Sequence, residues 1–160
     1  MSLPRGPRLG IDVGSVRVGL AASDPDGLIA TPVATVDPGD RARVVREVCE
    51  RGAAVVYVGL PRHLSGAEGA AAGSARAYAI SLAGEVFPVE VRMVDERMST
   101  VSATSALREA GRAGRRQRSV VDQAAAVVIL QGALDAERAT GSRAGERVAA
   151  RPDAETKTEQ

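Results

Sequence analysis

Three acidic residues stand at element boundaries where a charged ligand could be held. Asp12 interrupts an apolar run between Ile11 and Val13, with Gly10 and Gly14 on either side. A buried carboxylate is costly unless it is paired or bound to a cation, and the flanking glycines leave room for a ligand near the backbone. The plainer alternative is an Asp that caps the turn at Gly14-Ser15. Asp95-Glu96-Arg97 follows a strand-like run, Pro88 to Val94, and precedes a helix expected to start near Ser99-Thr100. Ligands gather at the carboxyl ends of strands in open α/β sheets, so these acids suit a cation. Helix-dipole chemistry with a local Glu–Arg pair is the alternative. Adjacent residues of an extended chain point to opposite faces, so one of the two faces such a site. Asp122, within Ser119-Val120-Val121-Asp122, also matches a capping box, the simpler reading for it alone. A carboxylate cluster without His or Cys is hard-cation chemistry, suited to Mg2+ or Mn2+. Two such ions about 3.5–4 Å apart activate water and stabilise the leaving oxygen in phosphodiester cleavage.

Composition closes off most other chemistry. The 160 residues include one Cys, one His, no Trp, two Tyr and one Phe. Structural zinc needs about four ligands and catalytic zinc about three, more than Cys49 and His63 supply. Nucleophile–His catalysis would have to run through His63, which sits in a loop and reads as a solvated surface residue. An aromatic content of 2% removes the base-stacking platforms of many single-strand binders. Twenty of the 21 basic residues are arginine, and the net charge is only +1, so no whole-molecule field attracts a polyanion. The lone Cys excludes an internal disulfide, which fits the cytoplasm. No stretch has the roughly 20 apolar residues that span a bilayer, so no membrane association is expected.

These candidates need a scaffold to bring them together. Arg8 to Val13 and Val16 to Ser23 are β-like runs joined through Gly14-Ser15, and Asp24-Pro25-Asp26-Gly27 is a turn. Leu28 to Thr35 makes a third strand, at an edge because of Pro32. A helix over Arg41 to Arg51 stops at Gly52 and places Val44, Val45, Val48 and Cys49 on one face, making Cys49 a core residue. Ala53 to Val58 is apolar throughout, as a strand buried on both faces would be. The loop Gly59 to Gly69 leads to a helix over Ala70 to Val86, then the strand Pro88 to Val94. Helices over Thr100 to Ala110 and Val120 to about Arg138 follow. The expected order, βββ-α-β-α-β-α-α, is an α/β fold: an antiparallel meander extended by parallel strands. One domain is expected over residues 8–140, with a flexible N-terminus over 1–7 and a disordered tail over 141–160.

The segment over residues 108–118, from the end of one helix to the approach of the next, is basic. Arg108, Arg112, Arg115, Arg116 and Arg118 stand against Glu109 alone. It runs directly into Asp122, so a phosphate backbone gripped there would lie beside the candidate metal site. Arginine forks position a phosphate backbone without reading its sequence. Arg17 and Arg62 could extend the track. A solvated loop in an arginine-rich chain is the plain alternative.

Four blocks then occur in order: Gly10-Ile11-Asp12-Val13-Gly14 with Arg17-Val18-Gly19, Val58-Gly59-Leu60-Pro61, Val94-Asp95-Glu96-Arg97-Met98-Ser99-Thr100, and Val121-Asp122-Gln123-Ala124-Ala125-Ala126. Together, across roughly residues 8–135, the chain resembles the YqgF/RuvX family of RNase H-like nucleases. That resemblance implies a three-layer fold with a five-stranded mixed sheet, its first three strands antiparallel, flanked by helices. It implies Asp12, Glu96 and Asp122 as the catalytic, metal-binding acids and Mg2+ or Mn2+ as cofactor. It also implies a nucleic-acid substrate: pre-16S rRNA processed in ribosome biogenesis, with ribosomal particles as partners, or a branched DNA such as a Holliday junction. The junction would call for a homodimer where RNA processing allows a monomer. Arg17, Arg62, Arg112, Arg115, Arg116 and Arg118 are the expected contacts to nucleic acid. Two positions depart from the family pattern. Gln123 stands where a second acid often follows Asp122, and Arg62-His63 replace a small apolar residue and Asn. A non-catalytic nucleic-acid-binding module and an actin-like ATPase, whose phosphate loop the first block also resembles, are the rival readings. The ATPase closes two such domains around its nucleotide, and this length supplies one.

Overall fold

The computed structural model describes residues 3–63, 65–98 and 115–150, with the backbone alone described for residue 98 and residues 115–122. A mixed sheet forms the middle layer, in the order β3-β2-β1-β4-β5-β6. Strands β1 (Arg8–Val13), β2 (Val18–Ser23) and β3 (Ala30–Val36) form the expected antiparallel meander. The parallel strands β4 (Val55–Leu60) and β5 (Glu90–Asp95) then extend it beyond β1. Helices α1 (Arg41–Arg51) and α2 (Ala70–Val86) pack together on one face. The long helix α3 (Arg115–Thr140) covers the other.

Alternation along each strand makes this sandwich. Leu9 and Ile11 on β1, Val56, Val58 and Leu60 on β4, and Val91 and Met93 on β5 are buried toward α1 and α2. The opposite parity, Tyr57 and Val94 among it, is buried with Ala126, Ile129, Leu130, Ala133 and Leu134 of α3. Those α3 positions recur at three- and four-residue spacing, the stripe of a helix lying on a sheet. Each buried Leu or Ile contributes about 1.5–3 kcal/mol. α3 lies very close over β1 because Gly10 has no side chain: a Cβ there would stand 2.6 Å from Leu130 Cβ and 3.0 Å from the Ala126 carbonyl oxygen. The room beside Gly10 is therefore taken by α3, not held open for a ligand as the sequence had suggested.

Several expectations need correction. The sheet has six strands, not five. The sixth, β6 (Glu146–Arg147), pairs antiparallel with β5 and comes from the segment expected to be a disordered tail. Gly145 makes this return possible. It adopts φ +69°, and a Cβ there would stand 2.0 Å from the Met93 carbonyl oxygen. Arg92 holds the approach by donating from Nε to the Ala144 carbonyl and from Nη2 to that of Gly145, at 2.5 and 2.7 Å. The lead-in is also tied down from Gly6, whose N–H donates to the Pro25 carbonyl, while Pro7 accepts from Ala54. Cys49 is exposed, on the flank of the stripe formed by the buried Val44 and Val48. The first hairpin turns through Ser15-Val16, one residue later than expected, closed by the Gly14 N–H on the Arg17 carbonyl. α3 starts at Arg115, so Arg115, Arg116 and Arg118 belong to a helix, not to a loop. The helix expected over Thr100 to Ala110, residue Arg112 and residues 151–160 lie outside the described residues.

Candidate active site

Asp12 lies on the same face of β1 as Gly10 and Arg8, toward α3, and is half-buried. The register that pairs Ile11 with Val58 carries Asp12 level with Gly59 of β4, and Gly59 pairs in turn with Val94 of β5. Two residues beyond Val94, on the same face, stands Glu96, the first residue of a 3-10 turn, Glu96–Met98. The two acids therefore sit on β1 and just past β5, with β4 between them. Gly59 is what makes room for Glu96 there. A Cβ on Gly59 would fall 3.1 Å from Glu96 Oε1 and 2.5 Å from Ile129 Cδ1 of α3. The Glu96 carboxylate thus leans over bare backbone toward Asp12's side of the sheet.

Asp122 belongs to α3, one turn before Ala126, the residue whose carbonyl approaches Gly10. The next residue, Gln123, donates from Nε2 to Thr35 Oγ1 at 3.1 Å. Thr35 pairs with Gly19, and Gly19 with Asp12. Gln123 therefore ties α3, two turns in from Arg115, to the row of the sheet that carries Asp12. Among the described residues no three acidic, His or Cys side chains converge as a metal site; the Asp122 side chain is not among them. The donor set that Asp12 and Glu96 provide is all carboxylate oxygen, which fits a hard divalent cation.

Electrostatics separates the two neighbouring acids of β5. Burial, and secondarily the charge of Asp95, push the Glu96 carboxyl above the usual range for Glu. Asp95 faces the other side, and hydrogen bonds from Arg97 hold its carboxyl below the usual range. The Arg97 backbone N–H donates to Asp95 Oδ1 at 2.8 Å, and its Nη2 to Oδ2 at 2.6 Å. Of the two acids, Glu96 is the one that lies over Gly59, while Asp95 is bonded to Arg97. Arg62, two residues past β4, stands 3.8 Å from Asp95 and 3.6 Å from Glu68. Arg17 is half-buried at the foot of the first hairpin, and His63 is exposed. Sequence reasoning had passed over Gly59 as a space-maker and Arg97 as a neighbour of the site. Both lie within the quoted blocks, but their roles depend on contacts across strands.

The far end of the sheet carries a second polar cluster with no sequence signal. Arg8 and Glu137 are almost fully buried and joined at 3.0 Å. Tyr57 donates its hydroxyl to Glu137 Oε2 at 2.5 Å, and Arg143 donates to the same oxygen at 3.0 Å. The Ala144 N–H in turn donates to the Tyr57 hydroxyl. Every member has partners, so this cluster joins β1, β4, α3 and the β6 approach rather than awaiting a ligand.

The family model RuvX, described as Holliday junction resolvase, matches residues 6–136. The chain belongs to the RuvX family. Relatives named "Putative pre-16S rRNA nuclease" include one from Nocardioides sp., 57% identical over 150 residues, covering 89% of this chain and 96% of the relative. Another, from Thermobifida fusca, is 51% identical over 156 residues, covering 92% of this chain and 98% of its own. The solved structure of Thermus thermophilus RuvC in complex with a Holliday junction substrate superposes with a TM-score of 0.56 at 18% identity, over 86% of this chain and 98% of that one. At that identity the likeness is one of fold: this RuvX chain shares the RNase H-like α/β architecture of RuvC. No helix among its described residues is long and apolar enough to cross a membrane.

Proposed function

We propose that this RuvX protein is a metal-dependent nuclease that hydrolyses phosphodiester bonds at the 5′ end of pre-16S rRNA. The observation that supports the reading is the Glu96 carboxylate over the side-chain-free Gly59, with Asp12 on the neighbouring strand one residue past the Ile11–Val58 pair. Asp12, Glu96 and Asp122 would hold one or two Mg2+ or Mn2+ ions. When bound, such an ion supplies Lewis acidity at the phosphoryl oxygens and lowers the pKa of water. The chain's own contribution is to keep carboxylate oxygens on one face and to tie α3 next to Asp122 to the sheet through Gln123 and Thr35. Arg17, Arg62, Arg112, Arg115, Arg116 and Arg118 brace the phosphates on either side of the cleaved bond. The substrate class follows the relatives' names, and ribosomal particles and the cytoplasm follow with it.

A second reading, resolution of a four-way DNA junction, is favoured by the family's description and by the RuvC likeness in fold. A two-fold junction requires a homodimer with two such sites. The deciding experiment offers purified protein a 5′-extended 16S precursor and a four-way DNA junction under Mg2+, with its state of association measured alongside. Cleavage of the precursor, and accumulation of 5′-extended 16S rRNA on depletion from cells, is the expected result. Symmetric junction cleavage with the RNA untouched would overturn the RNA reading. Binding of both without cleavage of either would leave a non-catalytic module.

A further inference from the structure

Arg62 carries an unmatched donor near the candidate site. Its Nε is buried with no hydrogen-bond partner among the described residues. The two acids nearest to it are already committed elsewhere. Glu68 accepts from both Nε and Nη2 of Arg76, at 2.7 and 2.9 Å, and stands 3.6 Å from Arg62. Asp95 accepts from the Arg97 fork and stands 3.8 Å from Arg62. Three guanidinium groups thus share two carboxylates. The Nε is enclosed, but the side chain is 29% exposed, so the rest of its guanidinium can meet an external acceptor, and a guanidinium fork fits a phosphate best. The place suits a substrate strand. Arg62 is three residues beyond Gly59, and Asp95 and Arg97 bracket Glu96 in the chain. Gly66 (φ +89°) lets the loop pass close to Arg97: a Cβ there would stand 3.5 Å from Nη1.

We propose that Arg62 and Arg97 together grip a backbone phosphate next to the one that is cleaved, and that Asp95 is a positioning residue that orients both guanidinium groups. The proposal rests on the nuclease reading for the identity of the strand. It assigns Asp95 a role apart from any metal, and it brings Arg97 into the substrate track. Without Asp95 the two cations would still attract phosphate, but they would no longer hold it in register with Glu96.

The test measures binding of a short single-stranded RNA in EDTA across a salt series, using the full chain, and cleavage in Mg2+ separately. Arg62→Gln and Arg97→Gln should each weaken binding about tenfold and flatten the log–log salt slope by about 0.7. Arg97→Lys should keep the slope while losing part of the affinity, since the charge remains and the fork does not. Asp95→Asn removes a negative charge, so its affinity should hold or rise, while kcat falls about tenfold with KM unmoved. Arg138→Gln, at the far end of the molecule, should match the wild type. Wild-type slopes in both Gln variants, an equal loss in Arg138→Gln, or wild-type kcat in Asp95→Asn would overturn the proposal. Asp12→Asn separates the two readings. If it still cleaves, the metal-site assignment fails, while the binding slopes continue to report on Arg62 and Arg97.

Discussion

Replacing Gly59 with Ala perturbs the candidate site through a single methyl group. That methyl would meet Ile129 Cδ1 at 2.5 Å and Glu96 Oε1 at 3.1 Å. Carbon–carbon contacts are favourable at about 3.5–4.0 Å, so the Ile129 tip must retreat by about 1 Å. It is the far end of a flexible side chain, and a rotamer adjustment can supply the movement. The Glu96 oxygen must give way by a few tenths of an ångström. Added methyl groups in packed regions cost about 1–3 kcal/mol, set against a typical stability of about 5–15 kcal/mol. The variant should therefore fold, with Tm lower by about 3–10 °C. Activity should suffer more, because small misplacements at a reacting centre cost up to about 100-fold. The expected result is a 10- to 100-fold fall in kcat, measured by single-turnover cleavage of the 5′-extended precursor well below the variant's Tm. Wild-type kcat in a folded Gly59→Ala protein would refute the claim that Gly59 exists to admit the Glu96 carboxylate.

Other outcomes follow from the same contacts. Gly10→Ala should cost more stability than Gly59→Ala, about 3 kcal/mol in urea unfolding, because its methyl meets Leu130 Cβ and the backbone of α3, which cannot move aside cheaply. Arg8→Met leaves Glu137 buried with fewer partners and should cost about 3–5 kcal/mol; a wild-type urea midpoint would show the cluster to be dispensable. Glu96→Gln should be more stable than the wild type at neutral pH in EDTA. Because the folded Glu96 pKa is raised, the wild type binds the extra proton in the folded state and loses stability as pH rises from the ordinary Glu range through the raised value. The advantage of Glu96→Gln should then vanish at acidic pH below the ordinary Glu range, and an advantage that grows there would contradict the sign.

Much of this arrangement is legible along the chain because it is local. Apolar alternation marks the meander, an unbroken apolar run marks β4, and Gly52 stops α1 in a left-handed cap. The opposite directions of Asp95 and Glu96 follow from strand geometry alone. Non-local features were hidden. Arg8 and Glu137 meet across 129 positions, and no spacing rule links them. β6 is two residues long and carries no apolar pattern, so only Gly145 and the Arg92 bonds reveal why the chain returns to the sheet. Cys49 shares a helical turn with buried valines, yet α1 presents a stripe too narrow to include it. Gly10 and Gly59 were both visible, but their functions are opposite: one seats a helix and the other makes way for a carboxylate.

The central claim is that Asp12 and Glu96 form the phosphodiester-cleaving centre. Its most direct test is single-turnover cleavage of the 5′-extended 16S precursor in Mg2+, comparing the wild type with Asp12→Asn while RNA binding is followed in EDTA. The account predicts a rate loss of about a thousandfold or more with binding retained and no cleavage by the wild type once the ion is removed. An Asp12→Asn protein that cleaves at the wild-type rate would contradict it.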